Sequence, residues 1–230
     1  MKPITGVLLV ALGFLALTFS GVALAQETTV ERPTIEQVDG QKYRIGEIVV
    51  DKAGASFTVP GKVLVLEDPL EYLAVSLNGS KGYESLLELN TSPTEFNLAC
   101  ILIGLDDTKS IKPRYQFDER PAVGQAVTIS ISFEKDGETV EISGASAMTE
   151  GDETFSADEW VYIGSTMSAD GQHFLADMSG TLIGFVHDPL SIIDHVSGGG
   201  IGAYGLMTGN EDILPPVGSP ISLTVTLVGD

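Results

Sequence analysis

The residue types best suited to chemistry fall in a few short stretches. In His187-Asp188-Pro189-Leu190-Ser191-Ile192-Ile193-Asp194-His195, two His–Asp neighbours bracket an apolar segment. Imidazole and carboxylate together form a ligand set for zinc or a similar ion. His187, Asp194 and His195 are therefore the candidates for a divalent cation, the one cofactor type this chain suggests. A helix running through the whole segment would put His187 and Asp194 on nearly the same face. The simpler reading is structural. Asp188-Pro189 has the form of an N-cap followed by proline at the first helical position, which leaves His187 outside the helix. His195 at the other end then complements the helix C-terminal dipole.

Lys81 and Glu84 sit in Lys81-Gly82-Tyr83-Glu84. Facing a cleft, Lys81 would bind an anionic group and Glu84 would serve as acid, base or hydrogen-bond acceptor. On a strand, residues three apart point to opposite sides, which weakens the pair. The structural alternative has Glu84 satisfying a backbone group or pairing near the start of the next helix. His173 and Asp177 complete the binding candidates. A concave site gathering these four would favour chemistry, whereas scattered positions would favour a binding module.

Several functions are excluded or weakened by what the chain lacks. One cysteine cannot form an internal disulfide, a redox pair or an iron–sulfur site. Gly200-Ile201-Gly202-Ala203-Tyr204-Gly205 matches the dinucleotide fingerprint letter for letter, but no clear strand precedes it and no helical period follows. It reads as a glycine-rich loop. No G-x-S-x-G, S-x-x-K or H-E-x-x-H occurs. The chain is not identified as an enzyme, and the balance of motifs leans against one.

The positioning elements are mostly short strands. An opening hairpin is predicted from residues 45–50 to 55–59, closed by Pro60-Gly61, with further strands at 70–77 and 83–89. Ser92-Pro93-Thr94-Glu95 is a capping box with proline at the first helical position, and Gly104 supplies the stop. The helix between them has almost no polar face and should be covered on most sides, with Cys100 as a small buried hydrophobe. Val127, Ile129, Ile131 and Phe133 alternate with polar residues, and Asp136-Gly137 turns the chain into Val140 and Ile142. Strands are expected at 160–163, 173–176, 181–186 and 221–227. About ten short strands around one or two helices, without regular βαβ alternation, predict a β-rich α+β domain. Its sheets should be mainly antiparallel, with one buried central helix and a short second helix at 188–194.

The order of these pieces resembles the YdjY-type domain, a family of exported bacterial proteins without an established biochemical role. The resemblance is carried by IGEIVVDKAGASFTVPGKV, DPLEYLAV, KGYESLL, the SP-initiated helix ending in ACILIGL, and then EWVYIGS, HFLADMSGTLIGF, DPLSIID and LPPVGSPISLTVTLV. It spans residues 43–228. It implies fold and export more than function. A ferredoxin-like description attached to one enteric bacterial member does not transfer, because the four thiolates of a cluster are missing.

Met1 and Lys2 precede an uncharged apolar stretch at 4–19, and Ala23-Leu24-Ala25 supplies a small-x-small cleavage pattern before Gln26. Residues 1–25 thus read as a signal peptide. Uncleaved, the same stretch approaches the roughly 20 residues that span a bilayer. Residues 26–42 read as a flexible tether and 43–230 as a single domain. The formal net charge is −20, and no Lys or Arg follows Lys135. Such a surface argues against nucleic acid as a partner and, after cleavage, against a membrane. The sequence therefore predicts a periplasmic or secreted protein with an envelope or extracellular partner of unknown identity. Its expected role is binding or structural. The alternative is a cation-dependent module or unrecognised enzyme using the acidic C-terminal half.

Overall fold

A computed structural model describes residues 33–198 and 205–229. The expected signal peptide and positions 200–204 of the G-x-G-x-x-G stretch lie outside the described residues.

The described residues begin with a meander: β1 (Ile35–Asp39), β2 (Lys42–Ile45), β3 (Ile48–Asp51) and β4 (Ser56–Val63), each antiparallel to the next. Strand β1 falls inside the segment read as tether. Its five residues are all exposed, so the ladder to β2 holds it rather than core packing. Next come β5 (Tyr72–Ser76), a 3-10 turn at Gly82–Glu84, β6 (Ser85–Leu89) and helix α1 (Pro93–Leu102). The hairpin β7 (Gln125–Lys135) and β8 (Glu138–Ser143) turns at Asp136 and Gly137, both with positive φ, as the Asp-Gly pair foretold. The short strands β9 (Met148–Glu150), β10 (Glu153–Thr154) and β11 (Trp160–Tyr162) lead to helix α2 (Leu175–Ser179). Strands β12 (Thr181–Gly184), β13 (Ile193–His195), β14 (Met207–Gly209) and β15 (Pro220–Leu227) complete the described chain.

Eight strands close into a barrel in the order β4-β15-β7-β11-β13-β12-β5-β6 and back to β4. Strands β1–β3 and β8 extend it, and β10-β9-β14 form a separate antiparallel sheet. The barrel is mixed: β5 runs parallel to β6, and β12 parallel to β13. The sheets are mainly antiparallel as expected, with twelve of the fourteen pairings among the described residues antiparallel and these two the exceptions. Here residues 77–84 and 185–192 return the chain to a parallel partner without a crossover helix.

Strand β4 keeps β15 along one edge and divides the other between β3, at residues 56–58, and β6, at 61–63. Pro60-Gly61 therefore lies inside a continuous strand instead of ending it. The closure is tight, since a Cβ at Gly61 would meet the Glu88 carbonyl oxygen at 2.3 Å. Strand β7 mirrors β4, with β15 on one edge and β11 then β8 on the other.

Alternation reports directly on which faces are covered. Val127, Ile129, Ile131 and Phe133 of β7 and Ile221, Leu223 and Val225 of β15 point to the core. Strands β5 and β6 are buried at every position, which is why their sequences do not alternate. Helix α1 carries the full capping box: Glu95 N donates to Ser92 Oγ and Ser92 N to Glu95 Oε2. Phe96, Ala99 and Cys100 are buried, and Phe96 meets Phe57 edge-on at 5.1 Å. Ile101 is half exposed, so the helix is less enclosed than its composition suggests.

Two local expectations are corrected. Residues 173–176 do not form a strand; Leu175-Ala176-Asp177-Met178-Ser179, mostly good helix formers, make α2, and Gly180 ends it at φ +81°. Residues 188–194 do not form the second helix. Asp188 Oδ1 accepts from Leu190 N and the Asp188 carbonyl accepts from Ser191 N, so the capping chemistry closes a single turn. The β-branched Ile192-Ile193 pair then carries the chain into the sheet.

Candidate functional site

The 3-10 turn at Gly82–Glu84 changes the geometry expected for Lys81 and Glu84. Residues three apart eclipse in such a turn, and Lys81 Nζ reaches Glu84 Oε1 at 2.6 Å. The ammonium also lies 5.7 Å from the Tyr72 ring centre and 5.9 Å from that of Tyr83. Burial opposes the Lys81 charge, but the bond and charge of Glu84 outweigh it and hold the ammonium above the usual lysine range.

Glu71, a residue the sequence did not single out, joins this pair. It is 6 % exposed, and its Oε2 accepts from Gln116 Nε2 at 2.6 Å. Burial, then the nearby Glu84 charge, push its carboxyl upward, with Lys81 pulling the other way. The available signal was an acid placed directly before the buried run Tyr72-Leu73-Ala74-Val75 of β5. Tyr72, next in sequence, donates its hydroxyl to Asp188 Oδ2 at 2.7 Å. Carboxyl groups in unequal environments, one of them raised by burial, are the arrangement from which an acid and a base are built.

Asp177 and His173 do not join Lys81 and Glu84. Asp177 accepts from Thr94 N at 3.0 Å and from Thr94 Oγ1 at 2.6 Å, so α2 caps the N-terminus of α1. His173 is exposed, with its backbone N–H donated to Ser168 Oγ in the 168–173 turn.

His187, Asp194 and His195 are neighbours in the core without pointing at one centre. His187 Nδ1 faces the Asp118 carbonyl, and Nε2 faces the carbonyls of His195 at 3.0 Å and Val196 at 3.2 Å. Asp194 accepts from His195 N at 3.0 Å and Asp188 N at 3.3 Å, and burial raises its carboxyl well above the usual range. His195 Nε2 meets the Ala157 carbonyl at 2.7 Å, leaving Nδ1 buried and unpartnered against Trp160 and Phe155. Burial lowers the His195 pKa, in keeping with a neutral ring that donates from Nε2. Among the described residues no three His, Cys, Asp or Glu side chains are grouped to hold a metal ion. The loop that receives His187 is pinned by Asp118, which pairs with Arg120 at 2.6 Å and Arg114 at 3.1 Å.

A further concavity lies elsewhere, and no sequence motif marked it. A cleft of about 850 Å³ opens between residues 64–68, the tip of the β7–β8 hairpin and residues 211–219. Leu66 and Leu214 form its buried floor, and Pro215, Pro216 and Val217 one wall. Glu67, Asp68, Glu134 and Glu211 stand around it. A second hollow of about 450 Å³ shares Leu66, Glu67 and Glu211 with the first and adds Asp152 and Asp212. Consecutive prolines fix φ in the wall, so the cleft is largely preformed.

Residues 48–226 match the model of the YdjY domain family, and the chain belongs to that family. No curated protein and no solved structure matches it.

Proposed function

We propose that this YdjY-domain protein is an exported binding module, periplasmic or secreted, whose ligand site is the cleft beside residues 211–219. The observation that carries this reading is the cleft itself. Its volume of about 850 Å³ falls in the range of roughly 300–1,000 Å³ typical of ligand sites, and apolar floors with a few polar rim groups are what such sites share. The acidic surface keeps the domain soluble and repels anionic ligands. Its envelope or extracellular partner is recognised by shape and apolar contact at this floor.

Two measurements test the reading. Intact mass of protein recovered from a secreting host should correspond to a chain beginning at Gln26; a membrane-embedded product retaining Met1 would sink the export half. Nile red, a neutral solvatochromic dye, should bind saturably to the full chain. Val217→Asp, at an exposed wall position, should abolish that signal with an unchanged circular dichroism spectrum. Dye binding that is absent, or equal in the variant, removes the cleft as the site.

A second reading rests on Glu71, whose raised carboxyl lies beside Glu84 and Lys81. In it, the cluster performs acid–base chemistry on a small polar substrate, the unrecognised-enzyme alternative relocated from the C-terminal half. A ligand whose conversion is lost in Glu71→Gln and not in Val217→Asp would select it.

A further inference from the structure

The charges around the cleft identify what enters it. Six carboxylates, those of Glu67, Asp68, Glu134, Asp152, Glu211 and Asp212, line the two connected hollows. Lys135 is the one cation there, and its ammonium donates to the carbonyls of Asp212 at 3.2 Å and Ile213 at 3.3 Å. It bonds to main-chain oxygens of the wall and forms an ion pair with none of the carboxylates. No Lys or Arg among the described residues forms an ion pair with any of the six; the five ion pairs all lie elsewhere. Glu67, Asp68, Glu211 and Asp212 are all exposed. Carboxylates that line one cleft without a paired cation attract an arriving cation.

Resting on the cleft as the ligand site, we propose that its occupant is an extended protein segment in which apolar side chains are flanked by Lys or Arg. The apolar side chains seat on Leu66 and Leu214 against the Pro215-Pro216-Val217 wall. The flanking cations reach the carboxylates on either side, one set near Glu134 and Asp68, the other near Glu211 and Asp152. A segment of several residues fits better than a single small amine, because the carboxylates are spread over two connected hollows. Anionic and purely apolar segments are rejected: the first by repulsion, the second because the rim must then be desolvated without a partner.

The test is a random linear-peptide display library selected on the full chain and counter-selected on Glu67→Lys/Glu211→Lys, two exposed positions, with an unchanged circular dichroism spectrum required of the variant. Recovered sequences should be enriched in Lys and Arg beside apolar residues. Synthesised individually, they should bind about tenfold more weakly at 500 mM than at 50 mM NaCl, since salt screens exposed pairs, and bind weakly or not at all to the double variant. Recovered peptides without cationic enrichment, or equal binding to the double variant, overturn the proposal while the Nile red result still stands for the cleft. Failure to recover any sequence from a protein that binds Nile red also overturns it. Self-association in light scattering that Val217→Asp abolishes would show that a second copy fills the cleft instead. Loss of Nile red binding and of peptide recovery together would bring down the underlying reading.

Discussion

Tyr72 and Asp188 are 116 residues apart in sequence and 2.7 Å apart at their side-chain oxygens. The tyrosine is fully buried and the aspartate nearly so. The bond ties β5 to the turn that links the parallel strands β12 and β13. It also fixes the tyrosine as donor, since burial and the adjacent carboxylate push its hydroxyl far above the usual phenol range.

Tyr72→Phe removes the donor and leaves Asp188 Oδ2 buried without this partner. A hydrogen bond to a charged acceptor contributes about 1.5–3 kcal/mol, and the variant should lose stability on that scale. Urea titration by tryptophan fluorescence measures it; an unchanged midpoint would mean that water replaces the hydroxyl.

Asp194 gives the fold a pH slope of defined sign. Burial raises its folded-state pKa, so above the ordinary carboxylate value of about 3.9 the folded state binds more protons than the unfolded chain. Stability should therefore fall as pH rises from about 3.9 towards the folded-state value, and buried Glu71 adds to the same slope. Asp194→Asn removes its own share. Urea midpoints across this range should decline less steeply in the variant, whatever its stability at any single pH.

Asp118 acts in the opposite sense in a lower window. Bonds from Arg120 and then Arg114 hold its carboxyl far below the usual range, so its contribution is present at neutral pH and is lost on acidification below about 3.9. Asp118→Asn should have a lower thermal midpoint than the parent at pH 7. The gap should narrow as the pH approaches the folded-state value. A gap constant with pH would show that the loop is held by its backbone contacts to His187 alone.

Gly61→Ala probes the seam that closes the barrel. The added methyl would meet a backbone oxygen at 2.3 Å, which no side-chain rotation relieves. Overpacking of this kind costs about 1–3 kcal/mol, with the strain concentrated where β4 leaves β3 for β6. Hydrogen exchange at Leu64 and Asn90, whose amides bond to Leu86 O and Pro60 O across the seam, should accelerate more than at the β4–β15 ladder.

The parts legible in the sequence are those whose chemistry is local. Ser92 and Glu95 fix the start of α1 because both partners of the capping box lie within one turn. The β7–β8 hairpin was visible because Asp136-Gly137 and the alternation about it sit on adjacent residues. Residues 188–195 misled because Asp-Pro signals a turn and a helix start equally well; pairing of Ile193 with Ile183 and with the more distant Tyr162 decided between them. Lys81 and Glu84 were recognised as a pair, yet their contact needed the 3-10 turn that a strand assignment hides. Glu71 and Gln116 meet only through the tertiary fold. The cleft left no motif because it belongs to three separate segments and is defined by shape.

Strand β15 lies between β4 and β7 and is hydrogen-bonded along both edges. It is the latest strand in the described sequence, and the two it joins belong to the chain's first and middle thirds. Until residues 220–227 are available, β4 and β7 present open, apolar-faced edges that nothing earlier in the chain can cover. Closure of the barrel therefore waits on the latest described strand, and such a topology folds slowly through distant contacts.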